Sequence, residues 1–259
     1  MSKIEVIRNG EILCCAQGSN EAQLLFRGDY QQGDELRFTT DYQHAVVQVD
    51  QAVKPARMYL PNCVFTFRLP LEGIDPAVYA PGAFTGDMHL CTIRPDEDNS
   101  YRNLACNPAD QRGEVTAYPH ATANVETRNE SWFCARNTID GEHIACGHGP
   151  WPFGSWGIGA RTDAKLTLDF GREVEVDRMT LYLRADFPHD AYWIHGTVAL
   201  DDGCEISFPL EGIDGPQTID LGGSHRIRTM KLYKLIKCDN PSAFPSLRQI
   251  EVYGTDVQA

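Results

Sequence analysis

Aromatic, acidic, basic and histidine side chains crowd into two stretches of the chain, and a third adds to them. "RADFPHDAYW" (184–193) carries Arg184, Asp186, Phe187, His189, Asp190, Tyr192 and Trp193. "HGPWPFGSWG" (148–157) holds His148, Trp151 and Trp156 among glycines and prolines, and "KCDNPSAFPS" (237–246) adds Asp239, Asn240 and Phe244. Flat rings beside carboxylates and a guanidinium suit a hydroxyl-rich ligand. The C–H faces of a sugar stack on aromatic rings, and its hydroxyls are met by acidic and basic groups. Each residue also has a structural use: Arg184 and Asp186 as an ion pair, His189-Asp190 as a turn cap, Trp156 in a core.

His143, His148, His189, Glu142, Asp186 and Asp190 include the types needed for acid–base or metal chemistry. Asp186 and Asp190 could flank a glycosidic bond. No H-E-x-x-H, G-x-S-x-G or phosphate-binding loop accompanies them. Non-catalytic binding is therefore the first expectation. The alternatives are a glycan-active hydrolase or lyase, or a protein-interaction module, using the same loops.

The elements that must position these loops are strands. In "AKLTLDF" (164–170) Ala164, Leu166, Leu168 and Phe170 alternate with polar residues, and "DRMTLYLRAD" repeats the pattern with Met179, Leu181 and Leu183. Asp201-Asp202-Gly203 makes a hairpin turn between two more. Short alternating runs also fill the first third of the chain, and no long amphipathic helix occurs. "PLEGID" appears at 70–75 and again at 209–214, each time after alternating strands, which suggests a duplicated unit. The expected layout is a β-sandwich over 1–93, a polar connecting segment over 94–131 packed on both units, and a second sandwich over 132–259.

With 259 residues the chain can bury a sizeable core without staples. A net charge of −13 argues against a nucleic-acid partner. No segment is long and apolar enough for a membrane span, and the first residues show no signal-peptide run, so a cytoplasmic location is expected. Nine cysteines without C-x2-C spacing read as reduced thiols.

The second half resembles a known family. Ala135, Asp140-Gly141, Trp156, Leu168-Asp169-Phe170-Gly171 and the closing Glu251–Gly254 strand match the pattern of discoidin and galactose-binding-like carbohydrate-binding domains. The whole chain further resembles a group of bacterial proteins described as carbohydrate-binding, through "NVETR", "ARNTIDG", "HGPWPFGSWGI" and "RADFPHDAYW". The resemblance implies an eight-stranded jelly-roll sandwich for the second half, which the repeated hexapeptide extends to two tandem jelly-roll sandwiches, with ligand held by loops at one end of the second. It implies that the Trp loop, the 184–193 loop and the 237–246 loop gather there, making His148, Trp151, Arg184, Asp186, His189, Asp190, Trp193 and Phe244 the candidate site. Trp156 falls on the family's core position. The family also suggests a structural calcium near Asp140 and Glu251. Here Asp140-Gly141 runs into "EHIACGHG", so Asp140 as a turn cap is the other possibility. No other cofactor is implied.

Overall fold

The computed structural model describes residues 1–73, 75–113, 115–184 and 191–257. The first sandwich is built from β1 (Ser2–Arg8), β2 (Glu11–Gly18), β3 (Ala22–Arg27), β4 (Glu35–Thr40), β5 (His44–Gln48), β6 (Ala56–Tyr59), β7 (Val64–Arg68) and β8 (Met88–Pro95). Two antiparallel four-stranded sheets form, ordered β2-β1-β4-β7 and β3-β8-β5-β6. If β2 is counted first and β1 last, this is the strand order of a jelly roll, with β1 taking the eighth strand's place between β2 and β4. Alternation explains the layers. Ile4, Val6, Leu36, Phe38 and Phe67 of one sheet share a core with Leu24, Val47, Met58 and Ile93 of the other.

The second sandwich contains β9 (Arg102–Asn103), β10 (His120–Ala123), β11 (Trp156–Gly157), β12 (Leu166–Leu183), β13 (Trp193–Leu200), β14 (Glu205–Pro209), β15 (Pro216–Lys237) and β16 (Ser246–Asp256). Both β12 and β15 are long enough to serve two layers. Residues 166–169 of β12 pair with β10 and with the end of β15, while 174–183 pair with β16 and with the start of β15. The register breaks between Asp169 and Val174, where Gly171 takes a φ of +69°. A Cβ there would lie 2.4 Å from the Tyr118 ring, so both conformation and space require glycine. Gly222 and Gly223, with φ of +83° and +145°, interrupt β15 in the same way. The two long strands fold over and enclose Leu166, Leu168, Phe170, Leu181, Val198 and Val252 in a second, separate core.

Segment 94–131 belongs to both units. Its Ala109 and Ala117 enter the first core, Leu104, Ala105 and Ala121 enter the second, and it supplies β9 and β10 to the second sandwich. The two "PLEGID" copies occupy different connections. The first leaves β7 and leads by way of a 3-10 turn, Asp75–Val78, to β8; the second leaves β14 for β15. In jelly-roll order β14 corresponds to β6, so the hexapeptides are not at equivalent places, although each follows an edge strand. All nine cysteines are free thiols. Burial pushes Cys91 and Cys134 up to about 12, leaving both neutral.

One proposed ligand residue is a core residue. Trp193, at the first position of β13, is 1% exposed and sits 6.2 Å from the Trp156 ring, which is fully buried and donates its indole N–H to the Val125 carbonyl. A ring enclosed in that way offers no face to a ligand. Trp193→Ala should therefore lower stability by about 3–5 kcal/mol in a denaturant titration, the cost of an emptied aromatic site. An unshifted midpoint would return Trp193 to the surface.

Candidate functional site

The three loops share an anchor at the start of β16. Trp156-Gly157 pairs with Leu247-Ser246, and the Arg184 N–H donates to the Ser246 carbonyl at 3.0 Å. Further along, the Cys238 N–H donates to the Tyr192 carbonyl at 2.9 Å. The 141–155 loop, the connection from β12 to β13 and the connection from β15 to β16 therefore all close at one end of the second sandwich. On that end Phe244 is 53% exposed. Arg184, at the exit of β12, is 5% exposed and lies beneath the loops rather than on them. Asp186, His189 and Asp190 lie outside the described residues.

Trp151 makes its contacts elsewhere. Its N–H donates to the Ala77 carbonyl of the first sandwich at 2.7 Å, and its indole N–H reaches Glu142 at 3.3 Å. With Lys54, Tyr79 and Arg136 it lines a crevice between the sandwiches. Lys54 pairs with Glu142 at 3.0 Å and donates to the Gly141 carbonyl. The loop carrying exposed His148 is thereby fastened to the first sandwich. Trp151 thus belongs to the junction, and of the described candidates the loop end keeps exposed Phe244 and buried Arg184.

The calcium expectation can be tested on its own donors. Arg248, 1% exposed, donates to both Asp140 oxygens at 3.0 and 3.2 Å and to the Asn137 carbonyl at 2.9 Å. Asp140 also accepts the Glu142 N–H, which makes it a turn cap and an ion-pair partner. Burial raises its pKa above the ordinary carboxylate value, against the pull of Arg248 and Arg136. Glu251, 7% exposed, is held by His143 at 2.9 Å and by the Tyr253 hydroxyl at 2.9 Å. A guanidinium already fills the position a divalent cation would need, so these residues do not fit calcium.

The junction holds polar residues that the sequence patterns did not single out. Arg136, in the 3-10 turn Ala135–Ile139, is 3% exposed. It donates to the Asp110 carbonyl at 2.9 Å and the Pro108 carbonyl at 2.6 Å, and lies 5.0 Å over the Tyr79 ring. Asp110, 2% exposed, receives the His120 ring at 2.7 Å and the Ala121 N–H at 3.0 Å. Burial works against a charged His120, but the hydrogen bond and charge of Asp110 outweigh it and raise its pKa above 6.5. The available signal was "ARNTIDG", which resembled a family turn without revealing a partner for its arginine.

Among solved structures the chain is similar to three sugar-binding modules at low identity. A chitosan-binding module from a Paenibacillus sp. IK-5 chitosanase/glucanase is 18% identical, with a TM-score of 0.41 over 60% of this chain and 100% of that one. A family 32 carbohydrate-binding module from C. perfringens NanJ in complex with galactose is 15% identical, with a TM-score of 0.43 over 60% and 99%. A Streptococcus pneumoniae fucose-binding module is 15% identical, with a TM-score of 0.42 over 61% and 98%. No family model matches the sequence, and no curated protein matches it.

Two outcomes follow from this geometry. Asp140→Ala strands the buried Arg248 charge and should cost about 3–5 kcal/mol, equally with calcium or with a chelator in the buffer. A calcium-dependent melting temperature in the wild type would contradict that. The protonated His120–Asp110 pair stabilises the fold fully below pH 6.5, the ordinary value, and that contribution is lost as pH rises through the raised native value. His120→Gln should flatten this alkaline fall in a melting-temperature series, and an unchanged slope would refute the assignment.

Proposed function

We propose that the protein is a non-catalytic carbohydrate-binding protein whose ligand lies on the loop end of the second sandwich. The observation that carries this is the fastening of the loops around Ser246, which presents Phe244 half-exposed on a supported rim. A phenyl ring in that position costs free energy in water and offers a flat face for the C–H surface of a pyranose. Arg184, whose backbone N–H bonds the Ser246 carbonyl, is buried at the base of the loop end, and the chain that leaves it carries Asp186, His189 and Asp190 as the hydrogen-bonding candidates. These are the acceptors and donors that hydroxyl groups require.

D-galactose, L-fucose and chito-oligosaccharides form a first panel. Phe244→Ala should weaken binding of the responding sugar about tenfold in a calorimetric titration. Because the ring is exposed, stability should change by no more than about 0.5 kcal/mol. Full binding by the variant would remove Phe244 from the site. Release of new reducing ends from any oligosaccharide would replace the binding reading with an enzymatic one.

A further inference from the structure

A cavity of about 340 Å³ opens between the two sandwiches, beside the first "PLEGID" segment. One wall is the exit of β7, another is the Asp75–Val78 turn with Tyr79, and the third is the connecting segment around Asp110 together with Arg136 of the following 3-10 turn. It shares no residue with the loop end. Its volume lies near the lower limit of small-molecule sites, about 300–1,000 Å³, which suits one pyranose-sized unit better than an extended chain.

The chemistry of the walls narrows the ligand. Three guanidiniums line the cavity, and each is already met by oxygen. Arg136 bonds the Pro108 and Asp110 carbonyls, Arg112 pairs with Glu126 at 2.8 Å, and Arg68 faces Glu35 at 3.6 Å. Of the lining acids, Asp110 is held by His120 and Ala121, Asp75 accepts the Ser131 hydroxyl, and Glu72 is exposed to solvent. Among the described residues, no buried charge is left to recruit an ion of either sign. Leu69 and Val78, buried at 3% and 7%, add an apolar floor.

Of the remaining polar side chains, Gln32 is exposed and Thr66 half-buried, and Tyr79 is the enclosed one. Tyr79 is 7% exposed, and its hydroxyl makes no hydrogen bond to any described residue. Its ring is fixed edge-on against Phe84 at 5.1 Å and Phe67 at 6.2 Å, with Arg136 over its face. Burial raises the phenol's pKa, so the group is a neutral O–H able both to donate and to accept. The ring is enclosed, but the hydroxyl is not one of the sealed, unpartnered polar atoms of the described residues, so it stays reachable from the cavity by a ligand atom or water.

We propose that this cavity is a second ligand site, taking a neutral, hydroxyl-bearing molecule of about one pyranose, with the Tyr79 hydroxyl bonded to it. The ligand would touch the first sandwich, the connecting segment and the 3-10 turn that carries Arg136, so its binding also stiffens the junction. The site shares its class of ligand with the loop end and none of its residues.

Titration of the full chain with D-galactose, L-fucose, D-glucose and myo-inositol tests both sites at once. Tyr79→Phe removes one oxygen that bonds nothing in the protein, so the melting temperature of the free variant should equal that of the wild type. Expected is a loss of about tenfold or more for at least one probe in Tyr79→Phe, with that binding retained in Phe244→Ala. Leu71→Trp, which fills the cavity from a half-buried position, should abolish the same event. Binding lost in Phe244→Ala but intact in Tyr79→Phe and Leu71→Trp overturns the cavity and leaves the loop end standing. Binding lost only in the two cavity variants supports the cavity and removes the loop end. No heat from any probe with the wild type overturns the cavity site, and the chito-oligosaccharide titration then decides the loop end separately.

Discussion

A guanidinium withdrawn from water must be met by oxygen in fixed positions, and the junction of this protein is arranged around that demand. Arg136 takes the carbonyls of Pro108 and Asp110, which fixes the turn of the connecting segment between the sandwiches. With that turn in place, the Asp110 carboxylate meets His120 and the Ala121 N–H, and so sets where β10 begins. β10 then pairs with β12, which belongs to the second core. The same guanidinium covers Tyr79 of the first sandwich. A single buried cation thus links the first core, the connecting segment and the second sheet, and losing any of its oxygens would leave a charge the interior cannot solvate.

The loop end depends on a different constraint, the bending of β12. Because Gly171 lets the strand cross from one layer to the other, its far end emerges at Arg184 next to Ser246. Without that bend the β12–β13 connection would close away from β11 and β16. The positions of Phe244 and Arg184 therefore follow from a turn thirteen residues upstream of Arg184, inside a register break of that strand. The space taken by Tyr118 against Gly171 carries the same bend back to the connecting segment.

Period-two patterns made the layers legible. Leu166, Leu168 and Phe170 alternate, and all three are buried at 1% or less, because a pleated strand with one dry face has no other solution. The hairpin at Asp201-Asp202-Gly203 was equally readable, since Gly203 supplies a φ of +94°. What sequence could not give was partnership at a distance. Asp140 and Arg248 are separated by 108 positions, and nothing local distinguishes a carboxylate awaiting a guanidinium from one awaiting calcium. Trp193 was grouped with its polar neighbours because it adjoins them in the chain. It is the first residue of a strand, and the pleat turns it inward. The repeated hexapeptide follows or ends an edge strand in each half, and identical local solutions need not occupy equivalent loops.

Two kinds of surface result, and their stiffness differs. The loop end is tied at its base through Ser246 and Cys238, and its aromatic ring projects beyond those ties. A ring held that way can stack on many flat faces and tells few of them apart. Tyr79, by contrast, is enclosed by Phe67, Phe84 and Arg136, so its hydroxyl has one position and little freedom to lose when a partner arrives. Discrimination between stereoisomers of a hydroxyl-rich molecule needs donors that do not follow the ligand as it shifts. For the two proposed sites, those physical grounds put selectivity at the junction rather than the rim, and the connecting segment, which walls the cavity and fastens both sandwiches, is the part of the chain on which it would depend.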